Sequence, residues 1–129
     1  MPSTATLERF IELVESNAHD QAIEAFYAPQ ASMQENQDAP RVGREQLLAH
    51  ERAVMARATS IRSQCVRPVF VNGDQVVLRW RFRFVWQDDS VTELEELAHQ
   101  HWEGEQIVQE QFFYDPAQLT PQPPPGAAT

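Results

Sequence analysis

Residues 75–86 read QVVLRWRFRFVW, and their alternation decides how the chain folds. Val76, Leu78, Trp80, Phe82, Phe84 and Trp86 fall on one side of an extended chain, with Arg79, Arg81 and Arg83 on the other. Such a strand buries its apolar face under a cover and turns its charged face outward. Upstream, Asn72-Gly73-Asp74 is a hairpin turn from a strand over residues 61–72, in which Pro68 demands a sheet edge or a bulge. Downstream, Gln87-Asp88-Asp89 turns into a strand reaching about Trp102. Glu103-Gly104-Glu105-Gln106 then turns into residues 107–114, and Asp115-Pro116 stops the sheet.

Setting Trp86 opposite Ser90 fixes the register of the whole meander. Arg83 then opposes Glu93 and Arg81 opposes Glu95, which pairs opposite charges on the outer face. Phe82 opposes Leu94 and Trp80 opposes Glu96 on the apolar face. Continued into the last strand, Gln100 opposes Glu110, Ala98 opposes Phe112 and Glu96 opposes Tyr114. Two carboxyls, Glu96 and Glu110, thus point where an uncompensated charge is costly. A slip of one residue reverses every one of these assignments.

Ahead of the meander the period is helical. Leu7, Phe10, Ile11 and Val14 recur at i, i+3, i+4 and i+7. After a break at Asn17, Asp20 is expected to cap a short second helix bearing Ile23, Phe26 and Tyr27, which Pro29 ends. A short strand over residues 31–35 and a polar loop over 36–42 follow, and Gly43-Arg44 opens a third helix with Leu47, Leu48, Val54 and Met55. The reading is α+β: three N-terminal helices packed on a curved, mainly antiparallel sheet, forming a cone.

The 129 residues, 42% of them hydrophobic, amount to one domain. Ten basic residues, all arginine, face nineteen acidic ones for a net charge of −9. That balance, with no basic run, argues against nucleic acid or an anionic membrane as partner. No stretch has the length of a membrane span, the start MPSTATLERF lacks an apolar leader core, and the single Cys65 fits a reducing cytoplasm. The domain is expected over residues 1–117, with 118–129 (Pro121, Pro123, Pro124, Pro125) as a disordered tail.

Four stretches carry a resemblance: RFIELVESNAHDQAIEAFYAPQASMQEN, VGREQLLAHE, GDQVVLRWRFRF and EQIVQEQFFYDP. In this order and spacing they resemble the nuclear-transport-factor-2-like (NTF2-like) superfamily, in particular its SnoaL-like and ketosteroid-isomerase-like members, over about residues 5–117. The resemblance implies a conical pocket lined by a curved sheet around a long helix, and a homodimer across the outer sheet face. The superfamily spans isomerases, polyketide cyclases, epoxide hydrolases, dehydratases and members without chemistry, so the fold alone selects no reaction. The isomerase-like base position falls in ASMQEN on Glu35. The tyrosine donor position falls in ERFIELV on Phe10, and the protonated-aspartate position in ELAHQHW at Ala98. With both oxyanion donors missing, steroid isomerase activity is not expected.

The same resemblance places Glu51, on the third helix, at the pocket wall, and Glu110, Phe112 and Tyr114 inward on the last strand. Trp80, Glu96 and Trp102 complete an acidic, aromatic lining. The expected catalytic set is Glu35 as base with Glu110 or Tyr114 as acid or orienting partner. Phe10, Glu51, Trp80, Glu96, Trp102 and Phe112 are the expected ligand contacts, with no metal and no organic cofactor. Each has a plainer reading. Glu35 can cap a backbone amide, Glu51 can pair with Arg52 or Arg57, Glu110 can be a hydrogen-bonded buried acid, and Tyr114 can be a core aromatic. His99 and His101 share the outer face, where a dimer contact is the simpler role than half a metal site. His50-Glu51 begins a zinc-protease motif that Val54 breaks. Two functions stay open: a small hydrophobic or polar-aromatic ligand processed by a cofactor-independent isomerase, lyase (cyclase) or hydrolase, or a non-catalytic binding or dimerisation module.

Overall fold

The computed structural model describes residues 1–124 and Gly126. Its elements run α1 (Thr4–Glu15), α2 (His19–Phe26), β1 (Tyr27–Glu35), β2 (Arg41–Val42), α3 (Arg44–Arg57), β3 (Ala58–Asn72), β4 (Gln75–Trp86), β5 (Val91–Glu103) and β6 (Gln106–Phe113). A single 3-10 turn, Pro116–Leu119, follows. The six strands form one sheet in the order β2-β1-β6-β5-β4-β3, antiparallel except where β1 runs parallel to β6. Three helices against a mixed, mostly antiparallel sheet is the α+β architecture read from the sequence.

The β4 alternation acts as expected. Val76, Leu78, Trp80 and Phe84 are buried, and Arg79 and Arg81 are exposed. The pairs Arg83–Glu93, Arg81–Glu95, Phe82–Leu94, Trp80–Glu96, Gln100–Glu110 and Ala98–Phe112 all occur in the register derived from the turn. A bulge between His101 and Trp102 breaks that register only next to the β5–β6 turn. Pro68 meets both conditions its missing N–H imposes: β3 is an edge strand, and its pairing with β4 shifts between Val66 and Phe70. Gly73 takes φ of 60° in the β3–β4 turn, a conformation open to glycine and strained for most side chains.

Ser3 caps α1 by accepting from Thr6 N at 3.1 Å, and Leu7, Phe10, Ile11 and Val14 are its buried face. Phe10 meets Phe26, Trp80 and Trp102 edge to face, so α1 is pinned across the sheet by aromatic contacts.

Three expectations are corrected. Helix α2 begins at His19 with Ala18 as its N-cap, one residue ahead of Asp20, whose carboxylate binds Gln21 N and Arg52 instead. Strand β1 begins at Tyr27, directly after α2, because Pro29 forces Ala28 into the extended region. Tyr114 lies one residue past the end of β6. Within the segment expected to be a disordered tail, Val91 and Gln122 exchange backbone hydrogen bonds at 2.9 and 2.7 Å, and Glu95 N donates to Gln118 Oε1 at 2.8 Å. Residues 125 and 127–129 of that expected tail lie outside the described residues. Among the described residues no helix is long and apolar enough to cross a membrane.

Candidate functional site

The helices and the inner face of the sheet enclose a cavity of about 840 Å³. One wall is the aromatic row of β4. Trp80 and Phe82 stack with ring centroids 5.6 Å apart, Phe84 and Trp86 stack at 5.2 Å, and the Arg57 guanidinium stands 5.6 Å from the Trp86 ring. Leu119 and Pro121 line it too, which gives the ordered part of the tail a place at the site.

At the base, four side chains from three strands form a buried chain. Trp102 Nε1 donates to Gln100 Oε1 at 2.9 Å, Gln100 Nε2 donates to Glu110 Oε2 at 2.6 Å, and Tyr27 Oη donates to Glu110 Oε1. Burial drives the Glu110 carboxyl up to about 7, even though the Tyr27 and Gln100 donors oppose that shift. Burial also holds the Tyr27 phenol well above its usual range, with the Glu110 charge acting in the same direction.

Higher on the wall, Glu96 is 8% exposed and lines the cavity, yet no described side chain or backbone group hydrogen-bonds its carboxyl. Burial, then the charges of Glu110, Glu35 and Glu51, push its proton affinity well above the ordinary carboxylate range. Glu35, on β1, has the opposite surroundings. Arg41 Nη1 donates to its Oε2 at 3.0 Å and Tyr114 Oη to its Oε1 at 3.0 Å. Burial alone would raise Glu35, but these two donors and the nearby cations win, so it titrates below its usual value. One cavity thus holds an ionised carboxylate and two carboxyls that retain their protons to higher pH.

A fourth acid enters from α3. Glu51 Oε1 lies 3.1 Å from His19 Nδ1, and His19 Nε2 lies 2.8 Å from Ser63 Oγ, which also bonds Asn17. The order carboxylate, imidazole, hydroxyl has the look of a nucleophile relay. Ser63 sits mid-strand with Asn17 occupying its other bond, so the chain of contacts ties α3, α2, β3 and the α1–α2 turn together.

Of the residues singled out in the sequence, Phe10, Glu35, Glu51, Trp80, Glu96, Glu110 and Phe112 line this one cavity. Trp102 does not. It is wholly buried beneath the base and serves the Gln100 contact, because alternation gives a side chain's face but not its depth along the strand. Tyr114 also stands outside the lining and reaches the site through Glu35. Glu51 pairs with His19 and not with Arg52 or Arg57. Tyr27, His19 and Arg41 were missed: each is positioned by the packing of separate elements, and no local spacing announces that. His99 and His101 lie on the outer face, bridged by Gln75 at 2.8 and 3.2 Å. Among the described residues no cluster of three His, Cys, Asp or Glu side chains is arranged to hold a metal.

A family model described as SnoaL-like domain matches residues 7–110. No curated protein matches the chain. Among solved structures, an NTF2-like protein of unknown function from Burkholderia pseudomallei superposes with a TM-score of 0.75 at 15% identity, covering 89% of this chain and 92% of that one. A Catenulispora acidiphila protein with a ketosteroid isomerase-like fold, in complex with trimethylamine, gives 0.74 at 13% identity over 91% and 90% of the two chains. An epoxide hydrolase of the LEH-like type from M. tuberculosis gives 0.72 at 10% identity over 89% and 84%. At these identities the likeness concerns the fold.

Proposed function

The chain belongs to the SnoaL-like domain family, and we propose that its cavity binds a small, mostly apolar or polar-aromatic molecule and moves a proton on it without metal or organic cofactor. The observation that carries this reading is the division of labour among the carboxyls: Glu35 ionised, Glu110 still titrating near neutrality, both facing one aromatic-walled space. Glu35 takes the proton, from carbon or from a water. Held ionised by Arg41 and Tyr114, it is always available but weakly basic, which suits a substrate whose own proton is already activated by a carbonyl or similar group. Glu110, which keeps its proton toward neutrality, gives it to the oxygen where charge develops, and the Tyr27 hydroxyl and Gln100 amide hold the carboxylate that forms. The solved structure with trimethylamine and the epoxide hydrolase supply precedent for small-molecule occupancy and for catalysis in this fold.

The test is mass spectrometry of small molecules retained through native purification, followed by turnover of the retained compound. Glu35→Gln is expected to keep the compound bound and to abolish its conversion. An untouched compound with the unaltered protein leaves the non-catalytic binding module as the function. An empty cavity that no compound in an unbiased screen occupies overturns both.

A homodimer through the outer sheet face accompanies this reading. Leu97 and Phe113 pair across β5 and β6 there and are 45% and 39% exposed, beside the Arg79–Glu95 ion pair. Light scattering at micromolar concentration is expected to give twice the 14.8 kDa chain mass, and the monomer mass refutes it.

A further inference from the structure

Four of the five acidic side chains at the cavity are accounted for by neighbours. Glu35 has Arg41 and Tyr114, Glu51 has His19, and Glu110 has Tyr27 and Gln100. Asp88, in the β4–β5 turn at the mouth, is held by Ser90. Glu96 alone is more than nine-tenths buried, aimed into the space and without a hydrogen-bond partner among the described residues. Buried polar groups in folded proteins are almost always paired, so an unpaired one facing a cavity marks where a partner docks.

The surroundings specify that partner. Trp80 stands directly opposite Glu96 across the β4–β5 ladder, with Phe82 stacked on it at 5.6 Å. Aromatic faces carry negative potential and attract cations, organic ammonium groups above all. Facing Glu96 are further negative or neutral groups: Glu110 and Tyr114 on or just after β6, and Glu35 on β1. The basic side chains of the lining have partners other than Glu96: Arg41 Nη1 bonds Glu35, with its Nε left without a partner among the described residues, His19 bonds Glu51, and Arg57 stacks at Trp86. His50 and Glu51 approach from α3. A net charge of −9 adds a long-range field that draws cations and repels anions.

We propose that the ligand of this cavity is an organic cation, its ammonium group seated between the Glu96 carboxylate and the Trp80–Phe82 faces, which rests on the small-molecule reading above and names its substrate class. Binding draws the proton off Glu96, so one proton leaves for each cation that enters. A neutral ligand accepting a hydrogen bond from a protonated Glu96 requires the reverse, since raising the pH would remove the donor it needs.

The probes are benzyltrimethylammonium, whose charge is independent of pH, and its neutral isostere neopentylbenzene, titrated by quenching of tryptophan fluorescence. The cation is expected to bind at least about tenfold more tightly than the isostere near pH 8. Its affinity should fall as the pH is lowered toward about 5, while that of the isostere stays flat. Calorimetry in buffers of different ionisation heat should show proton release. In Glu96→Gln, the preference for the cation should disappear with the isostere's affinity unchanged. Equal affinity for both probes, or a cation affinity that ignores pH, overturns the cationic ligand and leaves the pocket reading intact. Failure of both probes to bind overturns the cationic ligand, while the pocket reading falls only to an unbiased screen that finds no occupant. Because the pH arm uses the unaltered protein, the test survives a variant that does not fold.

Discussion

Glu110 and Glu96 occupy the inner face of one sheet, on adjacent strands, and both are buried, yet the fold treats them differently. Glu110 receives two donors and belongs to a chain of four side chains that closes the base. Glu96 receives none and looks into open space. Burial makes either charge expensive, but only the partners reveal whether the group holds the structure together or waits for a ligand. The base is thus read as architecture that also supplies a proton, and the wall above it as the recognition surface.

The largest expected effect separates the two directly. Glu110→Ala strands the buried Tyr27 hydroxyl and Gln100 amide and enlarges the cavity beside them, which should cost about 3–5 kcal/mol. Glu96→Leu removes a buried carboxyl with no bond to lose and should be neutral or stabilising by about 1 kcal/mol. Urea denaturation of the two variants measures both, and comparable losses would erase the distinction.

The second expectation concerns pH. Glu110 binds its proton more tightly folded than unfolded, so the folded state holds the extra proton between its ordinary value of 4.5 and about 7. The stability it contributes is full below the lower value and is lost as pH rises through the upper one, about 3 kcal/mol in all. Glu96, also raised, acts in the same direction. Glu35, lowered, acts oppositely: its contribution is present above the ordinary carboxylate range and is lost in acid. Denaturation midpoints should therefore be higher near pH 5 than near pH 8, and Glu110→Gln should remove the Glu110 share of that slope while leaving the share of Glu96. A chain that gains stability across this interval contradicts the assignment of Glu110.

How much of the contrast was visible in the sequence depends on the distance over which each contact is specified. The β4–β5–β6 register follows from two short turns and a period of two, so the inward placement of Glu96 and Glu110, and the outward arginines, could be read residue by residue. The parallel pairing of β1 with β6 joins segments far apart in the chain, and no local pattern announces it. Yet it is what brings Tyr27 to Glu110 and sets Glu35 beside Phe112. Alternation likewise gave Trp102 the correct face but could not tell that it lies beneath the cavity. In the tail, proline removes donors without removing acceptors. Residues 116–122 contain Pro116 and Pro121, but Gln118 and Gln122 between and after them supply the bonds to β5.

The smallest effect tests the rim. Tyr114 touches no ligand space itself, and its hydroxyl donates to Glu35 from just past the end of β6. Tyr114→Phe deletes that one bond while Arg41 keeps its own, so the expected loss of stability is about 1 kcal/mol or less. The informative change is in Glu35. With one of its two donors gone, its proton affinity rises toward the ordinary carboxylate value, because the hydrogen bond favoured the ionised form. Carbon-13 NMR of the Glu35 carboxyl should show an upward shift of its titration in Tyr114→Phe, and a larger one in Arg41→Ala. Glu110, served by different donors, should titrate unchanged in both. Identical Glu35 titration in Tyr114→Phe and the unaltered chain would reduce Tyr114 to packing and leave Arg41 alone as the group that holds the base ionised.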